Sequence, residues 1–223
     1  MIPLRDHNYH ITTPIITNII IGLNVVVFLF TLLAPHGLGD YIAYSYSIIP
    51  ARLDLITLIT SQFLHASFGH IIGNMLFLHI FGHSLEDYFG HVKFLLFYLF
   101  CGVVAGLGQV AVSPGSLVPI LGASGAIAGL MGAYLVLFPY SEVDVFIPFG
   151  LFSQTATVSA KFMLLYWVGA QFLYGIGSIG IGGGGIAYTA HIVGFGIGWL
   201  IAKKLPPKPE IIPPSSNYWQ SRF

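Results

Sequence analysis

The chain has 223 residues, of which 56% are hydrophobic and only 7% charged, and its formal net charge is zero. Soluble globular domains carry about a quarter of charged residues, so the composition makes a lipid bilayer the expected surrounding and excludes an ordinary soluble domain. No basic block lies along an aromatic stripe, which excludes nucleic acid as a partner, and the single cysteine, Cys101, excludes an internal disulfide framework.

Charges divide the chain into segments. None occurs from His7 to Gly39, from Leu55 to Leu85, from Phe94 to Ser141 or from Phe162 to Ala202. A spanning helix takes about 20 mostly apolar residues. Residues 1–13 are polar and read as a cytoplasmic segment; the apolar run after them lacks a small-residue cleavage site and is expected to stay as a helix. The first span is expected over Pro14–Ala34. A loop over Pro35–Thr57 follows, with Tyr41, Tyr44 and Tyr46 suited to a membrane interface. The second span is expected over Phe68–Glu86, and the third over Val92–Val112, where Ser113-Pro114-Gly115-Ser116 breaks it. The fourth, Ala123–Phe138, is short and stops at Pro139, and the fifth covers Ala160–Ile176. The glycine-rich stretch Gly177–Gly185 interrupts and reads as a mobile cap. The sixth span covers Ile186–Lys203, and residues 205–223 form a Pro-rich, polar, extended tail. The expected fold is thus all-α: a polytopic bundle of six transmembrane helices over residues 14–204.

Six spans put both termini on one side. Arg5, Lys93, Lys161, Lys203, Lys204, Lys208 and Arg222 then share the terminal face, and only Arg52 lies opposite. The positive-inside rule makes that face cytoplasmic. Spans two, four and six therefore begin at the outer face, each with a polar residue near its start: His70, Ser124 and His191. Gly194 and Gly198 share a helical face with His191, and Gly125, Gly129 and Gly132 run along span four. Small residues at such spacings let membrane helices approach closely, which would carry His191 toward Ser124.

Polar side chains inside a membrane face protein or a water-filled cavity. Ser124 opens a helix, where unpaired N–H groups and the positive dipole end favour an anion. A serine needs a base to become a nucleophile. No Asp or Glu lies in spans three to six, so His191 is the base available, in a two-residue dyad. His70 and Asn74 stand four apart on one face and can both donate toward a developing oxyanion. His65 reads as an interfacial or a structural residue, the latter bonded to a loop backbone. His79, His83 and Glu86 share a face at the far end of span two; the spacing admits a metal, but no His-Glu-x-x-His motif occurs and neither metal nor cofactor is expected.

Taken together, Gly122-Ala123-Ser124-Gly125-Ala126-Ile127, His70-x-x-x-Asn74, Ala190-His191 with Gly194 and Gly198, and Gly82-x-x-Leu85-Glu86-x-x-x-Gly90 resemble the rhomboid intramembrane serine proteases. The resemblance covers nearly the whole hydrophobic body. It implies Ser124 as nucleophile and His191 as general base and acid, with oxyanion stabilisation by His70, Asn74 and the Ser124 backbone N–H. It implies Glu86 as a structural bridge, and single-pass transmembrane proteins as substrates. Many relatives carry an aromatic residue four places after the serine; here Ala128 stands there, and the Trp-Arg pair of the first loop is also missing around Arg52-Leu53-Asp54. By the same analogy, Trp167, Phe172 and Tyr174 would form a lateral gate beside span five. The compact body points to a prokaryotic plasma membrane. Two other readings are open: a rhomboid relative that binds membrane proteins without cleaving them, and a small transporter, which would need ionisable residues along a through-path.

Overall fold

The computed structural model describes residues 1–35, 37–177 and 187–208. Residues 178–185 of the expected cap, and the tail from Pro209 on, lie outside the described residues. The helices fall where the charge gaps place them: α1 Ile15–Leu33, α4 Phe68–Phe89, α5 His91–Val112, α6 Ser124–Leu137, α7 Ala160–Gly177 and α8 Tyr188–Ala202. Between α1 and α4 the loop contains two short helices, α2 Leu38–Tyr46 and α3 Thr57–Thr60. By length and apolarity α1 and α5 can each cross a membrane; the segments 57–63 and 68–89, bent by 97°, make at most a third span. Helices α6 and α8 are apolar but shorter.

Helix α1 shows the solvent this fold is built for. Its buried stripe is Thr17, Ile20, Asn24 and Phe28, while Ile19, Val26, Phe30 and Leu33 are exposed. Polar groups point inward and aliphatic ones outward, the reverse of a helix in water and the arrangement expected in lipid. Helix α6 differs, because nearly every one of its residues after Ser124 is buried. Enclosed by protein, it need not match the thickness of the bilayer.

The all-α expectation requires a correction. A three-stranded antiparallel sheet, in the order β1–β2–β3, is formed by β1 Ile2–Asp6, β2 Glu142–Ile147 and β3 Gln154–Ser159. Residues expected to form only an N-terminal segment and a connection are thus ordered strands. Asp6 pairs with Val143, and Glu142 with Ser159. Alternation explains the hairpin: Val143 and Val145 are buried while Glu142 and Asp144 face out. A nearly buried carboxylate anchors β1. Asp6 Oδ2 accepts from Ser84 Oγ at 2.5 Å, Asn8 Nδ2 at 2.9 Å and Tyr134 Oη at 3.1 Å.

The sheet end carries a second buried acid. Glu86, fully buried on α4, accepts the backbone N–H groups of Ile16 and Thr17, each at 2.8 Å, and the Thr17 hydroxyl at 2.7 Å. These are orphan donors of the first turn of α1, so an anion from a neighbouring helix caps α1 where its dipole is positive. His91 Nδ1 adds a contact to Glu86 Oε1 at 2.5 Å. The structure supports the bridging role that resemblance gives Glu86.

Helices α6 and α8 meet backbone to backbone. A Cβ on Gly198 would overlap the Gly129 carbonyl, one on Gly194 the Gly125 carbonyl, and one on Gly132 the Phe195 carbonyl. Overpacking costs about 1–3 kcal/mol where side chains can yield, and more where the obstacle is backbone. Gly198→Val is therefore expected to lower the melting temperature in detergent by several degrees or abolish folding. Gly196→Ala, whose Cβ meets nothing within 4 Å, is expected to leave it unchanged or raise it slightly.

His10 lies beside the Asp6 cluster, with Nε2 at 2.9 Å from Ser84 Oγ and its ring stacked on His83 at 3.7 Å. Burial holds its pKa below the usual imidazole value, outweighing the attraction of Asp6 and reinforced by His83. The unfolded chain then binds the extra proton more readily, so this contribution is present above the usual imidazole pKa and is lost as pH falls through the lowered value. Between about pH 7.5 and about pH 5.5, His10→Gln is expected to lose less thermal stability than the parent protein.

Candidate active site

Ser124 is the first residue of α6, and its neighbour Gly122 explains why the chain turns there. Gly122 has φ +120°, a region that disfavours side chains. Its N–H donates to Ser61 O at 2.9 Å. Two residues earlier, Ile120 and Ile48 exchange backbone hydrogen bonds at 2.8 and 3.0 Å. The first loop therefore braces the turn that presents Ser124. A Cβ at Gly122 would stand 2.7 Å from both Cε1 and Nε2 of His70 and 3.7 Å from Asn74 Nδ2.

That contact brings the α4 pair to the serine turn. Ser67 caps α4, its Oγ accepting from His70 N at 3.2 Å, and the next turn carries Asn74, 8% exposed. Asn74 Nδ2 donates to His65 Nε2 at 2.9 Å. His65 also packs edge-on to His70 with centroids 5.0 Å apart. It thus holds the α4 pair through side-chain contacts that its place in a loop did not foretell.

His191 is in the first turn of α8. Its Nε2 stands 2.7 Å from Ser124 Oγ. Opposite, its Nδ1 stands 2.8 Å from Gln171 Oε1 on α7. The Trp167 ring, one turn before Gln171, lies 5.6 Å from the imidazole at a 37° tilt. The start of α8 is held as well: Gln109 Oε1 on α5 accepts from Ala190 N at 3.2 Å. Four helices thus converge on one imidazole–hydroxyl pair. A serine O–H facing an imidazole nitrogen at this distance, beside unpaired helix-terminal N–H groups, can act in acyl transfer.

The Rhomboid domain family matches residues 52–208, more than half of the chain and all the residues of this site. The chain belongs to the rhomboid family. Among rhomboid relatives, YdcA of Bacillus subtilis (strain 168) is 35% identical over 126 residues, covering 56% of this chain and 62% of YdcA. The mitochondrial Rhomboid protein 1 of Saccharomyces cerevisiae (strain ATCC 204508 / S288c) is 28% identical over 194 residues, 82% of this chain and 52% of that protein. The rhomboid protease GluP of Bacillus subtilis (strain 168) is 38% identical over 78 residues, 35% of this chain and 15% of GluP. In each case the match spans less than two thirds of the relative's own length.

Against this rhomboid frame, the structure brings Ser124 and His191 together and sets His70 and Asn74 against the serine turn. His79 and His83 are elsewhere: with Asp6, His7, Asn8 and His10 they line a cavity of about 520 Å³ near β1, the end where Tyr134 meets Asp6. Ten residues of α6 separate Tyr134 from Ser124, about 15 Å. Ala128 is fully buried; the aromatic contact on His191 comes from α7 instead. Of the three residues expected at a lateral gate, Trp167 lies against His191 and Phe77, and Phe172 and Tyr174 are exposed. Gln171 escaped the sequence reading. Its one available signal was a lone amide in an apolar helix, one turn from Trp167.

Gly122→Ala combines a disfavoured φ with contact on His70. It is expected to destabilise the protein by about 1–3 kcal/mol, read as a drop in melting temperature in detergent. Gly115→Ala, with open space around its Cβ, is expected to leave the melting temperature unchanged.

Proposed function

We propose that this rhomboid-family chain is an intramembrane serine endopeptidase that uses Ser124 as nucleophile and His191 as general base and acid. One observation carries the reading: the 2.7 Å approach of His191 Nε2 to Ser124 Oγ at the start of α6. Ser124 attacks the scissile carbonyl, and His191 takes its proton and returns it to the leaving amine. The Ser124 N–H, His70 and Asn74 stabilise the oxyanion. Water reaches the acyl-enzyme through the mouth of the site and completes hydrolysis. The dyad distance favours catalysis over a binding-only relative, which would have no need of it.

The substrates are single-pass transmembrane proteins. A peptide bond inside a helix is shielded by its own turn, so residues that lower the cost of unwinding, such as glycine or proline, mark susceptible segments. Phe172 and Tyr174, exposed on α7, border the proposed lateral path. Six spans over residues 14–204 form the body, with both termini cytoplasmic and Ser124 toward the outer face. The basic side chains support this orientation: Arg5, Lys93, Lys161, Lys203, Lys204 and Lys208 belong to the sheet end of the bundle, opposite Ser124. Lys208 also ties the start of the 205–223 tail to that end, donating to Asp87 Oδ2 at 2.5 Å.

Purified protein is expected to react with a fluorophosphonate and to cleave a single-span reporter substrate. Ser124→Ala is expected to abolish both, and His191→Ala to slow both by about 10²-fold or more. Equal labelling of all three proteins would remove the dyad.

A further inference from the structure

We propose that Gln171 is a positioning residue for His191, a neutral third member that sets the tautomer and tilt of the base. The proposal rests on the dyad reading of Ser124 and His191. A neutral imidazole carries one N–H, and its place is decided by the partner of the other nitrogen. Gln171 Oε1 can only accept, and it stands 2.8 Å from Nδ1. The proton therefore resides on Nδ1, and the Nε2 lone pair faces the Ser124 hydroxyl at 2.7 Å. When Nε2 takes the serine proton, the ring becomes an imidazolium, and the Nδ1–H···O bond becomes charge-assisted and stronger. The interaction thus grows toward the transition state, the condition for acceleration rather than mere binding.

Geometry adds a second argument. Trp167 and Gln171 are four residues apart on α7 and share a face. One restrains the plane of the imidazole, and the other restrains rotation about it by holding Nδ1. This pair supplies from α7 what the buried Ala128 on α6 cannot. No carboxylate competes for the role: α5, α6, α7 and α8 contain no Asp or Glu, and their cations, Lys93 and Lys161, stand at the sheet end. The titratable group facing His191 from the neighbouring helix α4 is His70. An amide also leaves the site without a buried negative charge, which would be costly in lipid.

The test compares Gln171→Leu and Gln171→Glu with the parent protein in proteoliposomes, by pH profiles of reporter cleavage and fluorophosphonate labelling, with Ser124→Ala as reference. Gln171→Leu is expected to lower kcat by about 10- to 100-fold with KM nearly unchanged. Gln171→Glu is expected to retain activity, with the acid limb of kcat/KM moved upward by about one pH unit, because an adjacent anion favours the imidazolium. Parent-like kcat in Gln171→Leu, or an acid limb unmoved in Gln171→Glu, overturns the proposal while an inactive Ser124→Ala keeps the dyad. Cleavage by Ser124→Ala at the parent rate overturns both. Should Gln171→Leu not fold, the limb position in the near-isosteric Gln171→Glu decides alone.

Discussion

Helices α6 and α8 touch through their main chains, and the rest of the site depends on that contact. With Gly125, Gly129 and Gly132 on one side and Gly194 and Gly198 on the other, no side chain intervenes. Lipid offers helices no hydrophobic drive to associate, so close van der Waals packing has to hold them. The same approach sets the span between the first turns of the two helices, which is the distance between a hydroxyl and an imidazole. A wider pair could not place Ser124 Oγ within hydrogen-bonding reach of His191 Nε2. The glycines fix the separation, while α4, α5 and α7 fix the orientation.

Two polar clusters stand at opposite ends of the bundle. At the sheet end, Asp6 and Glu86 are buried carboxylates whose oxygens receive several donors each, including the leading N–H groups of α1. At the other end there is no carboxylate in the cluster: histidines, amides and a serine do the work. A charge without partners is expensive in such surroundings, whereas a network with donors for its oxygens is tolerated. The division lets the strongly charged groups brace the structure where β1 closes the bundle. The Ser124–His191 pair is left without a carboxylate partner.

Much of this was legible in the sequence because charge gaps are a coarse, robust signal. The expected spans and the observed helices agree to within one or two residues for α1, α5, α6 and α7. The meeting of Ser124 with His191, and of His70 and Asn74 with the serine turn, was legible because polar groups in apolar runs are few. The sheet was not. Glu142-Val143-Asp144-Val145 alternates as a strand should and its hairpin partner β3 is close in sequence, but the third strand, β1, lies more than a hundred residues away and leaves no local trace of its pairing. Gln171 was hidden for a related reason. Its role is defined by a ring on another helix, and one amide in an apolar run looks like any other. The same holds for the bond between His65 and Asn74, which joins a loop to a helix across a bend.

One junction ties the two ends together. Strand β3 ends at Ser159 and α7 begins at Ala160 with no residue between; Ala160 N donates to Ser141 O at 2.8 Å. The helix is thus mounted on the sheet like a beam on a bracket. Gln171 sits eleven residues along that beam, about 16 Å from its root. A swing of about 10° there would carry the amide about 3 Å sideways, enough to break its bond to the imidazole. Anything that bends the beam therefore also moves the partner of the imidazole, so, under the proposed dyad, the stiffness of a small sheet at one end of the bundle bears on the proton transfer proposed at the other.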